Sequence, residues 1–457
     1  MSNSEKMGTG SVKKLMVELA VPAIIAQVVN LLYNVVDRIY IGHIPEIGGS
    51  ALTGVGLFAP ILMFITDFAM LAGSGGAPRA AIAMGRGEKD QAENILGNCF
   101  TMLLLLAAGL TVVLTVWMEP LLRLFGASDV TLPYAADYGR IYVLGSVFVL
   151  IVMGMNPFIT TQGFAKFSML TTVIGAVTNI ILDPIFIFGL NLGVQGAALA
   201  TVLSQAVSAI WILKFLSGKK TVLRLRLPNL RLRAGVILPC LALGVSSFVM
   251  VGTEGILSVC FTSSLSRYGG DVAVGAMTVL TSVNQFITMP LNGICQGGQP
   301  IMSYNYGAGK LERVKEAFYC QFTVCVCYTA VFWLLLMLAP GFFAGIFTND
   351  KALVDYTGWA LRIFLAGSFS VGFQISCQQA FVALGQAKTS LFMAVLRKLI
   401  LLIPMIYILP QILSNQAQAV FLAEPVSDII AATVTTISFF TFFRRTMKTK
   451  ETGKATA

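Results

Sequence analysis

The feature that most constrains this chain is an apolar stretch of roughly 20 residues that recurs about twelve times along its length. A helix of that length crosses the hydrocarbon core of a bilayer, which is about 30 Å thick. Charged residues make up 11% of the 457 residues, whereas soluble domains average about 25%. The surface that a water-soluble protein needs is therefore missing. The sequence predicts an all-α, multi-pass integral membrane protein.

Apolar windows bounded by charged residues, glycine and proline predict twelve membrane-spanning helices. The windows are 15–42, 51–76, 93–118, 133–159, 167–189, 195–216, 235–263, 272–298, 314–338, 355–381, 388–411 and 417–442. An even number of spans places both termini on the same side of the membrane.

The Lys and Arg residues indicate which side that is. Of the 31, 23 fall in loops on the side of the N-terminus, three fall on the opposite side and five lie inside spans. By the positive-inside rule, both termini are cytoplasmic. The longest basic loop lies midway along the chain. We therefore predict an N-terminal six-helix lobe at 1–216, a cytoplasmic linker at 217–234 and a C-terminal six-helix lobe with a basic tail at 235–457.

The two halves match each other at a constant offset of 222 residues. The matches are Gly75-Gly76-x-Pro78 with Gly297-Gly298-x-Pro300, Gly85-x-Gly87 with Gly307-x-Gly309, Arg140 with Arg362, Gly145-Ser146 with Gly367-Ser368, and Gly163-x-Ala165-Lys166 with Gly385-x-Ala387-Lys388. Units of six helices enter the membrane in the same direction, so the repeats are parallel. Two such bundles around a central cleft follow the alternating-access plan of secondary transporters. The alternative is a static scaffold with a decayed duplication.

Residue types that enzymes and soluble binding proteins depend on are scarce. The eight cysteines lie in apolar stretches without CxxC spacing, so neither a zinc site nor a disulfide framework is indicated. His43 is the single histidine, and no GxSxG, HExxH or GxxxxGK[ST] motif occurs. The basic residues occupy short loops instead of one continuous face. We therefore expect no enzyme activity, no cofactor and no nucleic-acid partner.

Polar residues within the spans point to an ion site in the first half. Each ionisable residue there costs about 2.5–3.5 kcal/mol on insertion scales, so it is a functional candidate. Asp37 in the first span, Asp183 in the fifth and Thr201 in the sixth lie at a similar depth below the outer surface. Asn179 is four residues before Asp183, on the same helix face.

Two carboxylates that approach closely cannot both be ionised cheaply. One of them takes a proton, or the pair shares a cation such as Na⁺. The sequence therefore predicts that Asp37, Asn179, Asp183 and Thr201 form a site for a coupling ion, H⁺ or Na⁺. The alternative is that Asp183 caps a helix broken by Pro184 and that Asp37 neutralises Arg38.

The second half lacks this polar layer. The residues 222 positions after Asn179, Asp183 and Thr201 are Leu401, Met405 and Ala423. It carries other acids, namely Glu254 in the seventh span and Glu424 and Asp428 in the twelfth. Glu254 and Asp428 are candidates for a second acidic site. Pairing of Glu254 with an intramembrane basic residue is the equally weighted alternative.

Three further residues have candidate roles in substrate handling. Pro22 interrupts hydrogen bonding in the first span and is a candidate hinge that Asp37 controls, although a static kink is at least as common. Tyr33 precedes Asp37 by one turn, and its aromatic face would attract organic cations. Asn156, followed by Pro157 in the fourth span, is a candidate amide lining the same cleft.

This combination of motifs resembles the multidrug and toxic compound extrusion (MATE) transporters. The resemblance spans nearly the whole chain and rests on Pro22 and Asp37, the glycine-rich end of the second span, Asn156-Pro157, Gly163-x-Ala165-Lys166, Asn179-x3-Asp183-Pro184, Thr201, and the run from Ala423 to Asp428. It implies a V-shaped pair of six-helix bundles that exports amphipathic, often cationic compounds in exchange for H⁺ or Na⁺.

The resemblance also implies residue roles and a location. In prokaryotic members, residues matching Asp37, Asn179, Asp183 and Thr201 form the ion site, and those matching Tyr33 and Asn156 contact drug. Glu254 resembles an acid of another branch, but the second acid of that branch is not evident around 374–377. We expect a monomer in a bacterial or archaeal plasma membrane. A flippase for lipids or lipid-linked oligosaccharides is the alternative, for which Arg140, Arg362, Arg397 and Lys398 are candidate anion ligands.

Overall fold

The computed structural model describes residues 3–347 and 351–451, and nearly all of them are helical. No β-strand occurs in these two ranges. The end of the predicted basic tail, 452–457, lies outside the described residues. The first half contains α1 (Val12–Gly42), α2 (Gly48–Gly85), α3 (Lys89–Leu124), α4 (Leu132–Leu144 with Ser146–Thr161), α5 (Ala165–Pro184) and α6 (Gly193–Ser217).

The second half repeats this order after the linker. The helix Ala234–Gly307 comprises α7 and α8, because Gly270, with φ 66°, breaks it. The remaining helices are α9 (Leu311–Leu338), α10 (Leu353–Phe364 with Ser368–Ala383), α11 (Ala387–Ile412) and α12 (Gln416–Glu451). Short helices occur at Asn3–Thr9 and Pro340–Gly345.

The number of membrane spans among the described helices agrees with the sequence-based expectation. Nine helices are long and apolar enough to cross a membrane, and the bent pairs in α4 and α10 add two. One of the nine, Ala234–Gly307, has 74 residues. An unbroken helix of that many residues would be about 110 Å long, far more than the roughly 30 Å of a hydrocarbon core. It therefore supplies two spans, and the predicted all-α fold of twelve helices is confirmed.

The helices group into two compact units. The first contains residues up to Thr9 together with Val21–Phe248, and the second contains Gly10–Ala20 together with the chain from Val249. The linker after α6 therefore belongs to the first unit, as does the beginning of α7. The first nine residues of α1 belong to the second unit.

Matched glycines of the repeat produce matched bends, which the sequence windows did not predict. The two parts of α4 meet at Gly145 with a bend of 56°, and those of α10 meet near Gly367 with a bend of 47°. A Cβ on Gly145 would collide with Val202 of α6, and one on Gly367 would collide with Pro425 of α12. Each bend therefore depends on close approach between the fourth and sixth helices of its own unit.

The linker is fixed to the first unit by buried polar side chains. The Gln162 Oε1 atom accepts hydrogen bonds from Thr221 Oγ1 at 2.7 Å and from the backbone N–H groups of Val222 and Leu223 at 2.8 Å each. Further along the linker, Glu93 Oε2 pairs with Arg226 at 3.3 Å. These contacts satisfy backbone donors that would otherwise be buried without partners.

We predict that Gln162→Leu destabilises the protein. The substitution removes four hydrogen bonds, three accepted by Oε1 and one donated by Nε2 to the Phe158 carbonyl. It leaves two backbone N–H groups without an acceptor, which costs about 2–4 kcal/mol of unfolding free energy. Thermal unfolding of the detergent-purified variant measures the loss. Gln411→Leu is the control, since Gln411 is exposed and bonds within its own helix. Equal melting temperatures for the two variants would contradict this role of Gln162.

Candidate functional site

Three helices of the first unit bring together the four residues predicted to form the ion site. Asp37 comes from α1, Asn179 and Asp183 come from α5, and Thr201 comes from α6. All four are buried, with exposed fractions of 9% or less. Asn179 Nδ2 donates to Asp183 Oδ1 at 3.3 Å and to Thr201 Oγ1 at 3.4 Å. The amide of Asn179 therefore links the acid of α5 to the hydroxyl of α6.

Asp37 and Asp183 are side-chain neighbours within hydrogen-bonding range of each other. Three oxygen atoms of this cluster are buried and have no protein donor, namely Asp37 Oδ1, Asp183 Oδ2 and Asn179 Oδ1. Each of them can only accept a hydrogen bond or coordinate a cation when the acids are ionised. Buried acceptors without donors are costly, so the arrangement calls for a proton or a small cation among them.

The local sequence explains how these groups become available. Asn179 and Asp183 share one face of α5 because they are four residues apart. Pro184 has no backbone N–H, and the helix continues from there as a π-helical turn, Ile185–Gly189. Such turns are rare and frequently occur at functional sites. The site thus lies where regular helical hydrogen bonding changes.

Tyrosine side chains surround the cluster, and the sequence pointed to one of them. Tyr33 lies near both Asp37 and Asp183, as its position one turn before Asp37 predicted. Tyr138 and Tyr142 of α4 were missed. Tyr138 lies against Thr201, and its ring stacks on that of Tyr142 with 6.0 Å between centroids. The signal for this pair was its spacing of four residues, which puts both rings on one helix face.

Asn156 and Pro22 occupy different surroundings from the four-residue cluster. Asn156 Nδ2 donates to the backbone carbonyl of Ser168 at 3.3 Å, while its Oδ1 atom is buried without a donor. Pro22 is buried in the interior of α1, which remains continuous around it. Helix α1 passes from the second compact unit to the first between Ala20 and Val21, next to this proline.

The acids considered for a second site are held by different bases. Glu254 of α7 pairs with Lys398 of α11, whereas Asp428 Oδ1 of α12 pairs with Arg397 at 2.8 Å. Both bases were candidate anion ligands for a flippase, and both are engaged by acids here. A third, Arg140, pairs with Glu119 at 2.9 Å. The charges that favoured the flippase alternative are therefore largely neutralised within the protein.

Comparison with known proteins gives a match over most of the chain. The sequence model of the MatE family matches twice in tandem, at residues 22–185 and 245–408. The chain is 25% identical over 401 residues to the multidrug export protein MepA of Staphylococcus saprophyticus, covering 87% of each chain. It is 24% identical over 402 residues to MepA of Staphylococcus aureus strain NCTC 8325, again covering 87% of each chain.

Solved structures show the same fold. A crystal structure described as MATE in the bent conformation superposes with a TM-score of 0.92, at 24% identity, over 99% of both chains. One described as MATE in the straight conformation gives a TM-score of 0.89, at 24% identity, over 97% of this chain and 98% of the other. The two tandem matches of the family model also agree with the internal repeat.

We predict that the melting temperature of the purified protein depends on proton or Na⁺ concentration through Asp183. A ligand present at 100 times its Kd stabilises the folded state by about 2.7 kcal/mol. Titrations of H⁺ and Na⁺ should therefore shift the wild-type melting temperature, and the shift should be lost in Asp183→Asn. Asp129→Asn is the control, because Asp129 is exposed in the loop between α3 and α4 and pairs with Arg123. A shift of the same size in Asp183→Asn would show that the ion binds elsewhere.

Proposed function

Because this chain belongs to the MatE family of membrane transporters, we propose that it is a secondary multidrug efflux transporter. It exchanges amphipathic, often cationic compounds for H⁺ or Na⁺ by alternating access. The observation that carries this proposal is the set of three buried oxygens on Asp37, Asp183 and Asn179 that lack a donor. The names of the MepA relatives support the substrate class.

The site fits either coupling ion. A proton needs one carboxylate that accepts it, and Asp37 and Asp183 are neighbours that share that role. Na⁺ needs several hard oxygen ligands, and carboxylate, amide and hydroxyl oxygens are of the suitable type. Asp37, Asp183, Asn179 and Thr201 would hold the ion. Its positive charge would relieve the repulsion between the two carboxylates.

Exchange requires that the ion and the substrate stabilise different states of the protein. The loaded site is stable because its acceptors are satisfied, and the empty site exposes two carboxylates that repel each other. A cationic substrate near Tyr33 would satisfy part of that negative charge. Binding of either cation therefore disfavours binding of the other, which is reciprocal by linkage. One pH unit supplies about 1.4 kcal/mol for each proton that enters.

The aromatic residues beside the site suit amphipathic cations. Tyr33 and Tyr138 lie close to Asp37, and Tyr142 lies near Tyr33. A cation over an aromatic face gains about 0.5–2 kcal/mol. Aromatic rings accept many shapes because the attraction depends on charge and contact area. Broad specificity is consistent with this lining. By the positive-inside rule, both termini remain cytoplasmic in the proposed orientation.

We predict that Asp37→Asn and Asp183→Asn abolish ion-coupled transport. Each substitution leaves one carboxylate and removes the repulsion that drives ion exchange. Ethidium transport by proteoliposomes, measured separately under an H⁺ gradient and a Na⁺ gradient, should fall to the level of protein-free liposomes. Asp129→Asn should transport like the wild type. Coupling retained by both site variants would reject the assignment of the ion site.

Pro22 is proposed to let α1 bend when the ion site changes its charge. Proline leaves the carbonyl four residues earlier, that of Glu18, without its helical donor, so bending there is easier than elsewhere in the helix. We predict that Pro22→Ala slows ethidium transport severalfold while leaving the ion-dependent melting shift intact. Pro120→Ala, another proline inside a helix of the same unit, is the control. A wild-type transport rate in Pro22→Ala would show that Pro22 does not act as a hinge.

A further inference from the structure

The second unit contains a buried cluster of charges on the helix pair that corresponds to α5 and α6 of the first unit. Arg397 and Lys398 lie in the π-helical segment Leu396–Leu402 of α11. Glu424 and Asp428 lie one turn apart on α12, and Glu254 of α7 completes the cluster. The residues at the repeat offset from the polar layer of α5 and α6 are apolar, but the charged cluster lies close to them along the chain. Arg397 corresponds to Gly175, one turn before Asn179, and Glu424 corresponds to Val202, next to Thr201.

The pairing within the cluster leaves one acid without a base of its own. Arg397 donates from two of its nitrogens to Asp428 Oδ1, both at 2.8 Å. Lys398 donates to Glu254 and to the backbone carbonyl of Met250. Glu424 Oε1 reaches Arg397 at 3.5 Å, longer than a normal charge-assisted hydrogen bond. Three acids thus share two bases.

Burial makes this surplus charge significant. The side chain of Glu424 is 10% exposed, and those of Arg397 and Asp428 are 14% and 6% exposed. An ionised carboxylate without its own counter-charge is strongly disfavoured in such surroundings. A proton on Glu424 makes the cluster neutral, and loss of that proton leaves it with one net negative charge.

Other helices packed on α12 do not supply the missing charge. Ser368–Ser370, Val371–Ala383 and Ile403–Ile412 contain no Asp, Glu, Lys or Arg. Leu353–Phe364 packs Tyr356 and Trp359 against Phe421, three residues before Glu424. This helix also carries Asp355 and Arg362, but both are exposed and neither is among the charged neighbours of Glu424. The charged neighbours of Glu424 are therefore Asp428, Arg397, Glu254 and Lys398.

Glu254 connects the cluster to its surroundings. Its side chain is 61% exposed, whereas that of Lys398, to which it is bonded, is 6% exposed. Lys398 is in turn a close charged neighbour of Glu424. A proton that arrives at Glu254 therefore meets a continuous series of ionisable groups leading to Glu424.

We propose that Glu424 is a second proton-carrying residue of the transport cycle, held in place by Arg397 and Asp428. This inference rests on the proposed antiport, to which it adds one proton per cycle. The proton binds the Glu424 carboxylate, forms a neutral acid and leaves as H⁺, so no other bond changes. Arg397 and Asp428 remain paired throughout and are positioning residues.

The proton count per substrate tests the proposal. Proteoliposomes hold a tenfold ethidium gradient, with equal Na⁺ on both sides and the membrane potential clamped at zero by valinomycin and equal K⁺. The pH gradient at which net ethidium flux vanishes then reports the number of protons exchanged, because one pH unit and a tenfold concentration ratio are each about 1.4 kcal/mol.

If the first site also carries H⁺, we expect zero flux at about 0.5 pH unit for the wild type and about 1 pH unit for Glu424→Gln. If it carries Na⁺, we expect about 1 pH unit for the wild type and no response to pH for Glu424→Gln.

Matched variants distinguish a failure of the Glu424 proposal from a failure of the proposed antiport. Glu312→Gln removes an exposed acid of the second unit and should behave like the wild type, and Glu424→Asp should restore the wild-type count. An identical count in Glu424→Gln and the wild type overturns the proposal. Loss of ion coupling in Asp37→Asn tests the first site independently, so either site can fail alone.

A second measurement covers the case in which Glu424→Gln does not fold. Saturating ethidium is added to purified wild-type protein in weakly buffered, Na⁺-free and Na⁺-containing solutions, and the released protons are counted. Release of two protons without Na⁺, or of one proton when Na⁺ saturates the first site, supports the proposal. Release of a single proton that Na⁺ abolishes overturns it.

Discussion

The structure depends on the cost of placing carboxylates where water cannot solvate them. Asp37 and Asp183 are buried neighbours, and the Asn179 amide provides one donor group for a cluster that is rich in acceptors. Buried carboxylates without a counter-charge are disfavoured, which is why we propose that a cation completes this cluster. If it does, the free-energy difference between the filled and the empty cluster is what would couple one solute to another.

The repeat provides two versions of one scaffold with different chemistry. Gly145 and Gly367 permit the same bend and the same close helix contact in each unit. On that scaffold the first unit carries two acids with neutral partners, whereas the second carries acids interleaved with bases. The two repeats thus share a backbone arrangement but carry different polar layers, and the layer of the second unit includes Arg397 and Lys398.

The fold and the clustering of Asp37, Asn179, Asp183 and Thr201 could be predicted from the sequence because both leave periodic signals, whereas the role of the cluster stays a prediction. Hydrophobic stretches identified the spans, and the spacing of Asn179 and Asp183 put both on one helix face. It did not reach the bends at Gly145 and Gly367, although the matched Gly-Ser pairs were visible, because a bend needs a neighbouring helix that the sequence does not locate. Tyr138 was missed for the same reason, since its distance from Thr201 is a tertiary property. The partners of Glu254 and Asp428 likewise depend on how α7, α11 and α12 pack.

The central claim is that the ion and the substrate compete for a site that contains Asp37 and Asp183. The most direct test is the apparent Kd of ethidium for the purified wild-type protein, measured across a range of H⁺ and Na⁺ concentrations. We predict that this Kd rises in proportion to the concentration of the coupling ion once its site is saturated. We also predict that this dependence disappears in Asp37→Asn and Asp183→Asn. A wild-type Kd that is independent of both ions would contradict the account.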